Sequence, residues 1–210
     1  MRNPIFPIVP TAKAALILVD VQNDFLPQGS LAVPGGDQIL DPLNHAIQLF
    51  SEGDLPIFAT RDWHPEAHCS FEETQGIWPR HCIANTFGAA FSEKLELPET
   101  VRIVSKGTAL NTDAYSGFEK TDLDRQLKDL QITELYVGGL ATDYCIFNTV
   151  KDALRLGYTV YLLTDSIKGV NVKPGDERYA LDQMRALGAI EINARSLKLL
   201  APVEESMGLT

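Results

Sequence analysis

The chain has 210 residues, of which 45% are hydrophobic and 22% charged, and 18 lysines and arginines against 28 acidic residues give a formal net charge of −10. This length and composition are typical of one globular domain over residues 1–210 and argue against a disordered, collagen-like or coiled-coil protein. An acidic chain without a basic run is also a poor partner for nucleic acid, because phosphate binding needs clustered cations.

The apolar runs and the cysteines indicate a protein of the cytoplasm that does not associate with a membrane. The run ALILV before Asp20 has five residues, whereas a signal peptide needs roughly 7–15 apolar residues and a membrane helix about 20. The three cysteines, Cys69, Cys82 and Cys145, form no CxxC pair. Such an odd set of unpaired cysteines is typical of a reducing compartment.

Six short apolar runs are predicted to be strands, each followed by a polar or glycine-containing turn. Their apolarity is continuous rather than alternating, which is typical of strands that are covered on both faces. The predicted strands are Ala14–Val19, Pro56–Ala59, Val101–Val104, Glu134–Val137, Thr159–Leu163 and Ile190–Ile192.

Amphipathic spacing predicts four helices between these strands. They are Pro42–Phe50, Thr121–Leu130, Thr142–Leu156 and Pro174–Leu187. We expect Asp41 to cap the first helix, with Pro42 at its first position, and Gly157 and Gly188 to end the last two. Strands that alternate with helices predict a doubly wound α/β fold, a three-layer sandwich in which helices cover both faces of a mostly parallel sheet.

Two charged residues follow predicted strands, at the sheet edge where ligands of such folds bind. Asp20 follows the first strand, where a carboxylate is costly unless it is hydrogen-bonded, paired or used in chemistry. A turn or cap role for Asp20 is the alternative. Lys106 follows the third strand, either as a solvated charge or as a group that stabilises a neighbouring anion.

Three of the four histidines fall within 18 residues after the second strand. Asp62 and His64 lie two residues apart in an extended segment, so their side chains point to the same side. His68 and His81 could complete the set, and a carboxylate with imidazoles suits Zn²⁺, Fe²⁺ or Mn²⁺. The spacing favours a metal site over a polar loop with incidental histidines. His45, in the first predicted helix, is interpreted as a surface residue.

Cys145 lies in the segment GGLATDYC between the fourth strand and the third helix. The two glycines allow a tight turn, and Thr142 is expected to cap the helix. In the first helical turn, unpaired N–H groups and the helix dipole would lower the pKa of Cys145 and favour a nucleophilic thiolate. A small buried hydrophobe is the alternative, and it is our interpretation of Cys69 and Cys82.

Five blocks of the sequence resemble, in order, the nicotinamidase branch of the isochorismatase-like cysteine hydrolases. They are ALILVDVQNDFLPQGSLAVPGG, TRDWHPEAHCSF, WPRHC, VSKG and GGLATDYCIFNTVKDAL. The resemblance implies the Rossmann-like α/β fold of that family. It also implies a hydrolase of NAD salvage that converts nicotinamide and water to nicotinate and ammonia through a thioester, with pyrazinamide as a further substrate.

The resemblance implies a catalytic role for three side chains. The family's Asp, Lys, Cys triad matches Asp20, Lys106 and Cys145. Its oxyanion site matches the backbone N–H groups of Ala141 and Cys145, and members carry a cis peptide bond that here corresponds to Leu140–Ala141.

The resemblance also implies a metal site and a substrate pocket. The family's ligands match Asp62, His64 and His81, which would hold one divalent ion, with zinc as the first choice and iron or manganese as alternatives. His68 stands where some members have an additional ligand. The aromatic walls of the substrate pocket match Phe25 and Trp78.

Other functions and an assembly state stay open at this point. Isochorismatase and N-carbamoyl amidase belong to the same family, but they lack the combination that His64 and His81 represent. A non-catalytic metal-binding protein with a structural Cys145 is the alternative from another class. A homo-oligomer is compatible with either.

Overall fold

Six parallel strands form the centre of the fold in the computed structural model, which describes residues 8–199. The strands are β1 (Ala14–Val19), β2 (Ile57–Asp62), β3 (Arg102–Lys106), β4 (Glu134–Leu140), β5 (Thr159–Lys168) and β6 (Ile190–Ile192). They pair in the order β3-β2-β1-β4-β5-β6, with every neighbour parallel. The predicted parallel sheet is confirmed.

Helices cover both faces of this sheet. They are α1 (Leu40–Glu52), α2 (Leu123–Asp129), α3 (Phe147–Arg155) and α4 (Asp176–Leu187). The even-numbered side chains of β1 pack with α1, whereas its odd-numbered side chains pack with α2, α3 and α4. Because β1 is buried on both faces, its continuous apolar run is stabilised in both layers. The doubly wound, three-layer α/β fold is thereby confirmed.

The start of α1 differs from the prediction, and Asp41 is not its cap. A 3-10 helix, Gly36–Ile39, leads directly into α1. The chain is therefore already helical at Ile39 (φ −80°, ψ −16°), and no side-chain hydrogen bond closes the first turn. Pro42 is the third residue of α1. It still lies in the first turn, where a missing N–H costs no helical hydrogen bond.

A π-helical turn, Thr142–Ile146, precedes α3 where one regular helix was predicted. Thr142 does not cap it, because its hydroxyl donates to Glu177 Oε1 (3.1 Å) instead. Single π turns of this kind are frequent at functional sites. The predicted helix ends are confirmed at Gly157 and Gly188, which adopt φ values of 93° and 108°.

The strand order reverses between β1 and β4, and ligands of doubly wound sheets bind outside the carboxyl ends of the strands at such a point. Asp20 directly follows β1, and Cys145 lies in the turn after β4. The two strands approach closely at Gly139 (φ 129°), where a Cβ atom would lie 2.0 Å from the carbonyl oxygen of Val19. Only glycine fits there, so the GG pair of the motif brings the Cys145 turn against the Asp20 turn.

The segment between β2 and β3 is largely irregular and joins two strands whose last residues, Asp62 and Lys106, are paired in register. None of the helices between residues 8 and 199 combines the length and apolar character that a membrane crossing needs. The single domain expected over residues 1–210 stays a prediction.

Candidate active site and metal centre

A buried lysine connects the charged groups at the carboxyl edge of the sheet. Lys106 Nζ lies 2.9 Å from Asp20 Oδ2 and contacts Asp62 Oδ1. It also donates to the sulfur of Cys145 (3.4 Å) and to the carbonyl oxygen of Ala114 (3.2 Å). Lys106 and Asp20 are 1% and 0% exposed. The structure therefore brings the three predicted catalytic side chains together in a buried site.

The charged groups of this site shift one another's pKa values. Burial lowers the pKa of Lys106, but the carboxylates of Asp20 and Asp62 raise it more, so this pKa lies well above its usual value. Burial and the neighbouring Asp62 raise the pKa of Asp20, although Lys106 and a 2.6 Å hydrogen bond from the Thr60 hydroxyl oppose the shift. A carboxylate with a raised pKa is a stronger proton acceptor than an exposed one.

The predicted lowering of the Cys145 pKa is wrong. Burial raises the pKa of the thiol well above its usual value, and the positive charge of Lys106 offsets only part of the increase. The motif indicates a helix N-terminus, but the π turn holds the sulfur inside the protein, where the uncharged form is favoured. One atom each of Asp20, Asp62 and Cys145 lies within 4.8 Å of the others. A neutral thiol beside carboxylates needs one of them as a base before it can attack.

Asp62, His64 and His81 converge on a common point, with one donor atom of each within 4.8 Å of the others. His64 Nδ1 donates to the carbonyl of Gly107 (2.9 Å), and His81 Nδ1 donates to that of Pro79 (2.8 Å). Metal-bound histidines commonly use the second ring nitrogen in this way, which leaves both Nε2 lone pairs free. Burial lowers the pKa of His64 to about 3. A carboxylate and two imidazole nitrogens fit a divalent ion.

His68 lies beside this set, but both of its nitrogens are already used. Nε2 donates to the carbonyl oxygen of Thr112 (3.1 Å), and Nδ1 pairs with the hydroxyl of Ser70 (2.8 Å). Its ring stacks on that of His64 with 4.0 Å between centroids. In this arrangement His68 has no lone pair for an ion, and it supports the ring of His64 instead.

One steric and one polar contact position the segment that carries His64 and His81. Gly107 (φ 60°) leaves room for His64, since a Cβ atom there would lie 2.5 Å from the ring carbon Cε1. The carboxylate of Asp24 accepts the backbone N–H of Cys82 (2.7 Å), next to His81. Both contacts join parts of the chain that are distant in sequence.

An aromatic cavity opens above Cys145. It is lined by Phe25, Leu31, Trp78, Tyr115, Tyr144 and Val170, together with Asp62, His81, Ala141 and Cys145. The two predicted walls, Phe25 and Trp78, therefore both border it. The peptide bond between Leu140 and Ala141, at the cavity floor, is cis, as the resemblance implied.

Sequence reasoning missed two tyrosines of this cavity. The indole N–H of Trp78 donates to the hydroxyl of Tyr115 (3.0 Å), and the ring of Tyr144 meets Trp78 edge-on at 5.0 Å between centroids. Tyr144 directly precedes Cys145 in the motif, so its position near the cavity could have been predicted from the sequence. Tyr115 lies in a loop without a motif, so the sequence gives no such indication for it.

Cys69 and Cys82 were interpreted as buried apolar residues and His45 as a surface residue, and the structure agrees closely with both interpretations. Cys69 and Cys82 are free thiols, partly and fully buried respectively. His45 is half-buried in α1 rather than fully on the surface.

The sheet is parallel and covered by helices on both faces. Where its strand order reverses, a buried cysteine lies beside a lysine and carboxylates. This combination is typical of the isochorismatase-like hydrolases. Residues 14–196 match the family model of the isochorismatase domain. The chain belongs to the isochorismatase family.

Within that family the chain is similar to proteins described as nicotinamidases and pyrazinamidases. The nicotinamidase of Escherichia coli (strain K12) is 40% identical over 92% of this chain and 98% of its own length. The pyrazinamidase of Pyrococcus horikoshii in complex with zinc is 48% identical, with a TM-score of 0.83 over 86% of this chain and 99% of that one. PnC1 from L. infantum in complex with nicotinate is 30% identical, with a TM-score of 0.86 over 93% and 100%.

Proposed function

We propose that this chain is a nicotinamidase, which converts nicotinamide and water to nicotinate and ammonia and hydrolyses pyrazinamide by the same route. The observation that carries the proposal is the contact of Lys106 with Asp20, Asp62 and Cys145 beneath an aromatic cavity. A flat pyridine ring suits that cavity, and its amide would then face the thiol. The nicotinate formed would enter NAD salvage, and the three free cysteines favour a reducing compartment such as the cytoplasm.

Asp20 acts as the base in the first step. It accepts the thiol proton of Cys145, and the sulfur attacks the carboxamide carbon of the substrate. Lys106 stays protonated throughout, because its raised pKa keeps the ammonium charged between two carboxylates. Its charge stabilises the thiolate while it forms.

The oxyanion of the tetrahedral intermediate accepts hydrogen bonds from the backbone N–H groups of Ala141 and Cys145, which both border the cavity. Asp20 then gives its proton to the departing nitrogen, and ammonia leaves. Asp20, now a carboxylate again, takes a proton from water, and the hydroxide attacks the thioester. Nicotinic acid leaves as the proton returns to the sulfur of Cys145, and its own proton passes to ammonia in solution, which gives nicotinate.

Asp62, His64 and His81 would hold one divalent ion, for which zinc is the first candidate and iron or manganese are alternatives. When bound, the ion supplies a Lewis-acid position for the pyridine nitrogen. Phe25 and Trp78 would stack on the ring faces and exclude water. His68 supports His64 without binding the ion, since both of its nitrogens are hydrogen-bonded.

Ammonia release from a panel of amides tests the function. The panel contains nicotinamide, pyrazinamide and an N-carbamoyl amino acid, with purified chain loaded with zinc. We expect release from both pyridine-like amides and none in the Cys145→Ala variant, whose thermal stability should stay near that of the wild type. Release from the carbamoyl compound alone would indicate an N-carbamoyl amidase, and no release from any amide would favour a non-catalytic metal-binding protein.

A further inference from the structure

Gln22 is a fully buried amide that uses all of its donors on two backbone segments. Its Nε2 donates to the carbonyl oxygens of Asp62 (2.8 Å) and Ala89 (2.9 Å), and its Oε1 accepts the backbone N–H of Asp62 (2.8 Å). Gln22 is 0% exposed. A side-chain amide has two N–H donors, so its NH₂ group has no free donor.

The end of β2 needs this side chain because its neighbour β1 has already stopped. The last register pair between the two strands joins Val19 and Thr60. Beyond it, Asp62 would expose its N–H and carbonyl groups to a gap on the β1 side, and buried backbone groups must be paired. The amide of Gln22 fills that position as a peptide group of a continuing strand would.

The carboxylate of Asp62 faces both parts of the site. One oxygen contacts Lys106, and the other lies 3.8 Å from His64 Nε2. The third bond of the Gln22 side chain reaches the carbonyl oxygen of Ala89, and the backbone of Gln22 forms an antiparallel bridge with Phe91. The side chain of Gln22 therefore ties the end of β2, which carries Asp62, to the chain segment that follows His81.

We propose that Gln22 is a positioning residue for the metal centre, which holds Asp62 in register with the two histidines. Groups that orient metal ligands are worth a substantial part of the affinity of a site. This role rests on the proposed metal site, but it does not depend on which amide the enzyme hydrolyses.

Asn44 offers a matched control for a merely structural amide. Its side-chain amide also donates to and accepts from the backbone, with Nδ2 donating to the carbonyl of Lys94 (2.9 Å) and Oδ1 accepting the N–H of Glu96 (3.0 Å). Asn44 lies on α1 and contacts no proposed ligand. Gln22→Met and Asn44→Leu both remove the amide and keep the approximate shape and the neutral charge.

The experiment is the dissociation constant for zinc, measured by chelator competition on metal-free protein, together with the visible spectrum of the cobalt-loaded form. Since partners of metal ligands typically contribute 10–100-fold in affinity, we expect Gln22→Met to weaken zinc binding by about that factor and to change the cobalt bands. Asn44→Leu should leave both unchanged. Equal zinc affinity in wild type and Gln22→Met, with the same cobalt spectrum, would overturn the role.

If Gln22→Met does not fold, Gln22→Asn keeps a neutral amide but draws it back by one carbon–carbon bond, and the same loss of zinc affinity is expected. A wild-type chain that binds no zinc would overturn the role of Gln22, whatever its activity. A chain that binds zinc through Gln22 as described but releases no ammonia would instead contradict the proposed nicotinamidase function and leave this role intact.

Discussion

The proposed catalytic group (Asp20, Lys106 and Cys145) and the proposed metal group (Asp62, His64 and His81) meet at Asp62, which contacts Lys106, yet the protein holds them in different ways. Asp20 and Cys145 follow the neighbouring strands β1 and β4, and Lys106 ends β3, so the parallel sheet places all three residues at its carboxyl edge. His64 and His81 come from an irregular segment, and single hydrogen bonds to backbone carbonyls orient their rings.

Because of this difference, we expect the two groups to respond differently to substitution of a side chain. Strand ends are held by backbone hydrogen bonds and by both core layers, so we expect the strand backbones to keep their positions when a side chain of the proposed catalytic group is replaced. The histidines depend on a few polar contacts and on one glycine. We therefore expect an all-or-none response in the first group and a graded response in the second.

The largest effect is expected for Lys106→Met. This change leaves the carboxylates of Asp20 and Asp62 buried without their cation, and breaking such a buried pair costs about 3–5 kcal/mol of stability. Ammonia release should fall below detection. Urea unfolding and an ammonia assay measure the two effects.

Lys128→Met is the matched control, because Lys128 pairs with Asp124 at the surface (2.7 Å). Exposed pairs contribute about 0–1 kcal/mol, so this variant should keep its activity and nearly all of its stability. Full activity in Lys106→Met would contradict the catalytic group as described.

His81→Asn is expected to have the next largest effect. Partners of metal ligands alone contribute 10–100-fold, so loss of a ligand should weaken zinc binding by about 100-fold or more. Because Cys145, Asp20 and Lys106 are intact, we expect KM for nicotinamide to rise far more than kcat falls. Steady-state kinetics at fixed free zinc measure the split, with His45→Asn as the histidine control. An unchanged KM would argue against the metal ligand assignment.

Gly107→Ala tests the graded response of the metal group. Its Cβ atom would press on the ring of His64 at 2.5 Å, and the backbone has φ 60°. We expect zinc affinity to fall by about tenfold, within the range for outer partners. Gly175→Ala has a similar positive φ (97°) with nothing within 4 Å, and it separates backbone strain from the ring contact. Equal zinc affinity in the two variants would show that the added Cβ atom at residue 107 does not disturb zinc binding by His64.

The smallest effect is expected for Tyr115→Phe. The change removes the acceptor of the Trp78 indole N–H (3.0 Å), and a neutral hydrogen bond is worth about 0.5–1.5 kcal/mol. KM for nicotinamide should rise by about 2–12-fold with kcat unchanged. Tyr179→Phe, at an exposed tyrosine, should change neither. A fall in kcat instead would mean that Tyr115 takes part in the chemistry.

The beginnings of the strands were predictable to within one residue because a continuous apolar run is a local signal. β1 and β6 have the predicted bounds, and Asp20 lies where its run ends. β5 extends to Lys168, well beyond the predicted Leu163, because its polar second half continues to pair with β4. The pattern predicts where a strand begins better than how far its backbone pairing continues.

The features of the site that the sequence did not predict have a common cause, which is that burial and long-range contacts leave no local pattern. The motif around Cys145 indicates a helix start, but it carries no signal of the desolvation that raises the thiol pKa. The partner that occupies His68 Nε2 is the carbonyl of Thr112, 44 residues away. Gln22 lies within a recognised block, yet its partner Asp62 is 40 residues distant.

Trapping of the acyl group by hydroxylamine most directly tests the central claim, that Cys145 forms a thioester. Hydroxylamine competes with water only after ammonia has left. We predict that wild-type enzyme with nicotinamide yields nicotinohydroxamate in proportion to the hydroxylamine concentration, at the expense of nicotinate and without loss of ammonia release. Continued formation of nicotinate and ammonia with no hydroxamate at any concentration would contradict a covalent intermediate.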